Sequence, residues 1–165
     1  MGSLKSPVHY LIIGLRGFFG GHSLLSGLNY FVEFVPTPKV THPLAGPFID
    51  SMTAMGFFDV VKVTETAVGI CLLTGLFVPL ALVLEMPISV SIFFTSVIVV
   101  HSDRSVITGS REILVNLVLL AAYAGYYLPM LRMRAVSRPI WRSRWTTIRQ
   151  SIWPERTSQV DGDAR

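Results

Sequence analysis

Residues 57–100 read FFDVVKVTETAVGICLLTGLFVPLALVLEMPISVSIFFTSVIVV, and this stretch decides the fold. Its only charged residues are Asp59, Lys62, Glu65 and Glu85. A bilayer core about 30 Å thick takes roughly 20 helical residues, so the run is too long for one crossing. Gly75-Leu76-Phe77-Val78-Pro79 supplies the break, with one helix before it and one after. Pro87 falls inside the second of these and is expected to kink it.

Working outward, the same pattern recurs on both sides. Residues from about Val8 to Phe31 form another apolar segment, too long for a signal peptide and read as a retained first helix. Gly14, Gly17 and Gly21 share one face of it, which would let a neighbouring helix approach closely. Residues 33–56 hold Pro36, Pro38, Pro43 and Pro47 and cannot be one helix. Their last part, from about Pro47 to Met55, suits a short interfacial helix. His101 to Ser110 reads as a polar loop, and a further apolar helix follows to Leu131, closed by Tyr123, Tyr126 and Tyr127 at the level of an aromatic belt.

The fold expected is therefore all-α: a four-helix transmembrane bundle over residues 1–131, with helices at about 8–31, 58–77, 80–100 and 112–131. Composition agrees. The chain is 51% hydrophobic and 15% charged, against about 25% charge in soluble domains. Its mean hydropathy is +0.55.

The net charge of +4 does not indicate nucleic acid. Arg132, Arg134, Arg138, Arg142, Arg144 and Arg149 crowd directly after the last apolar segment, where they suit an anionic membrane surface. The positive-inside rule then puts the tail, and with four crossings the N-terminus, in the cytoplasm. The turn near Pro79 belongs on the same side but carries no basic residue. Residues 132–153 read as an amphipathic helix with Trp141, Trp145, Ile148 and Ile152 on one face and Arg138, Arg142 and Arg149 away from it. That helix suits the headgroup region or a partner subunit. Residues 154–165 read as a disordered tail.

Ionisable residues at bilayer depth are costly and face a partner or a cavity. At about 1.5 Å per residue, Arg16 lies roughly 12 Å from the cytoplasmic edge, Glu85 roughly 8 Å and Glu65 roughly 20 Å. Arg16 could thus pair with either carboxylate. Asp59, Lys62 and Glu65 follow one side of the second helix and, with His22 and Asn29, could line a polar pocket in the outer half. Two uses stay open for this seam of Arg16, His22, Asp59, Lys62, Glu65 and Glu85. It braces helix register, or it binds a quinone headgroup, a proton or a small solute. No phosphate loop, serine triad or zinc spacing is present. His22 and His101 stand at unequal depth, a poor haem pair. The single cysteine, Cys71, excludes an intrachain disulfide.

The order of motifs adds a resemblance. Arg16 is followed by Ser26-Gly27-Leu28-Asn29-Tyr30-Phe31, the proline-rich loop, and Met55-Gly56. Val61-Lys62-Val63-Thr64-Glu65, Gly69, Leu72-Leu73-Thr74-Gly75-Leu76-Phe77-Val78-Pro79-Leu80 and Pro87 come next. Over about residues 10–131 this resembles the DoxX and DoxX-like family of four-helix bacterial membrane proteins. The resemblance implies a bacterial inner-membrane location and an association with redox systems, including quinone-reducing thiosulfate oxidation and oxidant-detoxifying complexes. Arg16, Lys62 and Glu65 match the family's polar positions. Asn29 and Tyr30 stand where the family often has a lysine.

These readings lead to an expected role as an accessory or structural subunit of a membrane redox or energy-converting complex. Its partners would be the lipid bilayer and other subunits or further copies of itself. A quinone-linked oxidoreductase component and a small-solute or lipid transporter are the alternatives. Quinone is the one cofactor implied, and no metal is expected.

Overall fold

The computed structural model describes residues 7–36 and 39–131, and every regular element among them is helical. Five α-helices follow in order: α1 Pro7–Val32, α2 Ala45–Ala54, α3 Phe57–Thr74, α4 Val78–Phe93 and α5 Asp103–Ala122. A π-helical segment, Phe94–Val100, continues α4. Two short 3-10 turns, Ala124–Tyr126 and Leu128–Leu131, end the described chain. Three helices are long and apolar enough to cross a membrane: Pro7–Val32, Val78–Val100 and Asp103–Ala122. The 18 residues of α3 include Asp59, Lys62 and Glu65. The basic segment with Arg138, Trp141, Arg142, Trp145 and Arg149, and the tail beyond it, lie outside the described residues.

Local chemistry sets the helix ends. Asn29 folds its amide over the end of α1, donating to the Val35 carbonyl at 2.9 Å and accepting from the Val35 N–H at 2.7 Å. His42 Nδ1 accepts from the N–H groups of Leu44 and Ala45, both at 3.3 Å, and so caps the start of α2. Gly56 (φ 72°) and Gly75 (φ 78°) take the left-handed conformation that ends α2 and α3, a region where a side chain is strained. Pro79 sits in the first turn of α4, where its missing N–H costs nothing.

Two boundaries differ from the sequence expectation. The fourth long helix begins at Asp103 and not near residue 112, because Ser102 and Ser105 form a reciprocal capping box that starts it directly after His101. The polar residues 103–110, expected as loop, are its first two turns. It also stops at Ala122, short of Leu131, where Tyr123 departs from helical geometry.

The helices pack with polarity reversed relative to a soluble protein. Glu65, Glu85, Glu112, Asn116, Ser23 and Ser89 are all buried. Leu11, Leu25, Val63, Leu84, Leu117 and Phe94 are exposed. In water, buried unpaired carboxylates and exposed aliphatic faces would both be costly. In lipid the same arrangement is favourable, since hydrocarbon solvates the outer face and the interior shelters the polar groups. This is the architecture of a membrane protein.

A small apolar cluster holds the bundle around this polar interior: Phe19, Val68, Leu72, Val78, Ala81, Leu82 and Leu119. The main crossing is α1 on α3, and glycines make it close. A Cβ on Gly69 would lie 2.5 Å from the Leu24 nitrogen, and one on Gly20 would lie 2.7 Å from the Leu72 Cβ. A Cβ on Gly27 would collide with the Thr66 hydroxyl and the Lys62 carbonyl. The stripe Gly14, Gly17 and Gly21 does not serve this contact, since nothing lies within 4 Å of a Cβ at any of the three. That stripe turns away from α3, because Phe19, Gly20, Ser23 and Gly27 form the buried side of α1.

The second crossing is α4 on α5. Gly109 lets Ser96 and Val97 approach, with a Cβ there 2.8 Å from Ser96 Cβ. The Ser96 carbonyl accepts from the His101 N–H at 3.1 Å, the bond across five residues that marks the π-helical register, and from the Ser105 hydroxyl at 2.8 Å. Pro87, which lacks an N–H, lies inside α4 about two turns before this segment.

Candidate functional site

The polar side chains fall into three groups along the bundle. The first is at the end holding the α3–α4 turn. Arg16 donates from Nη1 to the Tyr123 hydroxyl at 3.3 Å. Its guanidinium lies 3.4 Å from the position a Cβ would take on Gly75. Tyr127 donates to the Pro79 carbonyl at 2.7 Å. Among the described residues Arg16 meets no carboxylate, so the pairing expected with Glu65 or Glu85 does not form. The reason is reach: Glu85 is engaged by Ser23, two turns further along α1 than Arg16. Arg16 thereby ties α1 to the chain after α5 and lends a positive charge to a turn that has none of its own.

The second group is the interior. Ser23 donates to Glu85 Oε1 at 3.4 Å, joining α1 to α4. Asn116 Nδ2 donates to the Ser89 hydroxyl at 3.0 Å, joining α5 to α4. His22 Nε2 lies 3.5 Å from Glu112 Oε2, joining α1 to α5. Glu65 on α3 and Glu112 on α5 are near enough for their charges to act on Glu85. Arg111 lies 3.5 Å from His22 and stacks over Phe18 at 5.6 Å from the ring centre.

The third group is a pocket. Lys62 Nζ lies 2.7 Å from Glu65 Oε2 and 3.0 Å from the Ser26 hydroxyl, and it sits 5.2 Å over the Phe58 ring. This ion pair forms one wall of a cavity of about 350 Å³ between α2, α3 and α4 with its π-helical continuation. Phe48, Met52, Phe57, Pro87 and Ile92 are among its apolar walls. Cavities of a few hundred Å³ with a few placed polar groups hold small molecules. Asp59 does not share this wall. It is exposed at the start of α3 and accepts from the Tyr30 hydroxyl at 2.5 Å. Lys62 accordingly takes Glu65, and not Asp59, as its partner.

The structure thus brings Lys62, Glu65 and Glu85 toward one interior, with His22 at its edge. It leaves Arg16 at one end and Asp59 at the other. Sequence reasoning missed Glu112, Asn116, Ser23, Ser26 and Ser89. A signal for the α5 pair was present: Gly109, Glu112, Asn116 and Leu119 recur at helical spacing and form the buried side of that helix. Reading 103–110 as loop placed Glu112 at a helix mouth and hid it. Among the described residues no group of three His, Cys, Asp or Glu side chains is placed to hold a metal ion. No family model, curated protein or solved structure matches the chain.

Proposed function

We propose that this protein crosses the bacterial inner membrane four times, with both termini cytoplasmic, and holds the polar head of a quinone-like amphiphile as an accessory subunit of a membrane redox complex. The observation that carries this reading is the Lys62–Glu65 pair set in a largely apolar and aromatic cavity, whose other polar lining is the hydroxyls of Ser26, Ser91, Thr95 and Ser96. An ammonium has three donors. Ser26 and Glu65 account for two, leaving one for a ligand oxygen. Glu65 can accept from a hydroxyl. A carbonyl head and its hydroxyl form are both served by such a pair, and Phe48, Phe57 and Met52 suit a flat ring and a tail. With α3 as the fourth crossing, its Lys62 and Glu65 face the pocket and Val60, Val63 and Ile70 face lipid. The likeness of Val61–Leu82 to DoxX-like proteins supports a redox setting, in which electrons come from a partner and this chain positions the carrier.

The test is titration of a decyl-chain benzoquinone into the full-length protein in nanodiscs. Saturable binding is expected. Met52→Trp, which fills the cavity from α2, should abolish it while melting stays unchanged. If wild type and Met52→Trp take up the quinone alike and without saturation, the ligand is merely dissolving in lipid and the reading fails.

A further inference from the structure

The interior beyond the pocket has more acceptors than donors. Glu65, Glu85 and Glu112 come from three different helices and are 97%, 99% and 96% buried, from exposures of 3%, 1% and 4%. Around Glu85, α3 contributes Lys62 and Glu65, α5 contributes Glu112 with Arg111 beside it, and α1 contributes His22 at Glu112. Arg16 is turned to Tyr123. Two fixed cations, Lys62 and Arg111, therefore stand among three carboxyls, which leaves one carboxyl without a counter-charge.

Hydrogen bonding gives a second, independent sign. Glu85 Oε2 and Asn116 Oδ1 are buried and have no hydrogen-bond partner among the described residues. Asn116 reaches Ser89 with its amide nitrogen, which leaves its oxygen in the same interior. Ser89 is one turn from Glu85, and Asn116 is one turn from Glu112. The third buried atom without a partner among the described residues, Arg16 Nε, is a donor but belongs to the group at Tyr123; the two in this interior are acceptors, so what it lacks is a donor. A carboxylate only accepts, but a carboxyl that has taken a proton donates as well.

We propose that Glu85 and Glu112, with Asn116 and Ser89, form a proton-binding site that exchanges with the α1–α5 surface through His22 and with the pocket through Glu65. No bond other than O–H and N–H forms or breaks. A proton arriving at His22 Nε2 passes to Glu112, is held between Glu112 and Glu85, and leaves by Glu65. His22 suits the entry because its side chain is 43% exposed while the Glu112 side chain is 5% exposed, and an imidazole can take a proton and hand one on. Glu65 suits the exit because it belongs to the pocket wall as well. The destination of the proton rests on the pocket reading, whereas the site itself does not.

The experiment is infrared spectroscopy of the ligand-free, full-length protein in nanodiscs at neutral pH. A carboxylic-acid C=O band is expected, shifting on transfer to D₂O. Glu85→Gln or Glu112→Gln should remove or displace it, and having both variants keeps the test intact if one fails to fold. His22→Ala should keep the band and slow its exchange roughly a hundredfold, the lower range for a positioned proton-transfer group. Absence of the band in wild type, its survival unshifted in both glutamine variants, or unchanged exchange in His22→Ala overturns the proposal. Because no quinone is present, failure to bind quinone leaves this result unaffected.

Discussion

Gly69→Ala is expected to destabilise the bundle by about 2 kcal/mol, within the range for adding a methyl group where packing is already complete. The new Cβ would stand 2.5 Å from the Leu24 nitrogen and 2.7 Å from its Cα. Those atoms are backbone, so no rotamer change relieves the clash and α1 has to move away from α3. Gly14→Ala, Gly17→Ala and Gly21→Ala meet nothing within 4 Å and should leave stability within about 0.5 kcal/mol. Unfolding the four variants in mixed detergent gives the comparison. A loss at Gly17 as large as that at Gly69 would mean that the crossing face of α1 is misassigned.

Lys62→Met should cost more, about 3–5 kcal/mol, the usual penalty for removing one member of a buried ion pair. The Lys62 side chain is 13% exposed and that of Glu65 is 5% exposed, so water cannot replace the lost partner. The pair also joins α3 to α1 through Ser26. The double variant Lys62→Met with Glu65→Leu removes both charges and should recover most of the loss, since apolar replacement of a whole buried pair is often neutral or better. Folding yield and detergent unfolding of the singles and the double complete the cycle. Additive losses, with no recovery in the double, would show that the two side chains are not energetically coupled.

The sequence made the helical architecture legible because lipid imposes a simple demand: long apolar runs with punctuation between them. Gly75 and Pro79 marked the α3–α4 turn by their backbone properties alone. The interior was legible only in part. Lys62 and Glu65 could be placed together because i and i+3 neighbours share a helix face. Partners on different helices depend on rotation about each helix axis, which hydropathy does not fix. Arg16 illustrates this, since its depth permitted a carboxylate and its actual neighbour is Tyr123. Glycine spacing misled in the same way. Gly14, Gly17 and Gly21 form the more regular stripe, yet Gly20, Gly27 and Gly69 make the close contact. The start of α5 was hidden by composition, because a Ser102–Ser105 capping box can open a membrane helix with polar turns.

The proposed topology requires that α3, despite Asp59, Lys62 and Glu65, crosses the membrane as the partner of α1. Single cysteines on a Cys71→Ser background, probed in intact cells with a membrane-impermeant maleimide, test it most directly. Lys39→Cys, before α3, and Arg104→Cys, at the start of α5, should label from outside. Ser3→Cys, Leu76→Cys in the α3–α4 turn, and Ser158→Cys should label only after the cells are opened. Labelling of Lys39→Cys and Leu76→Cys from the same side would contradict the claim, because α3 would then not cross.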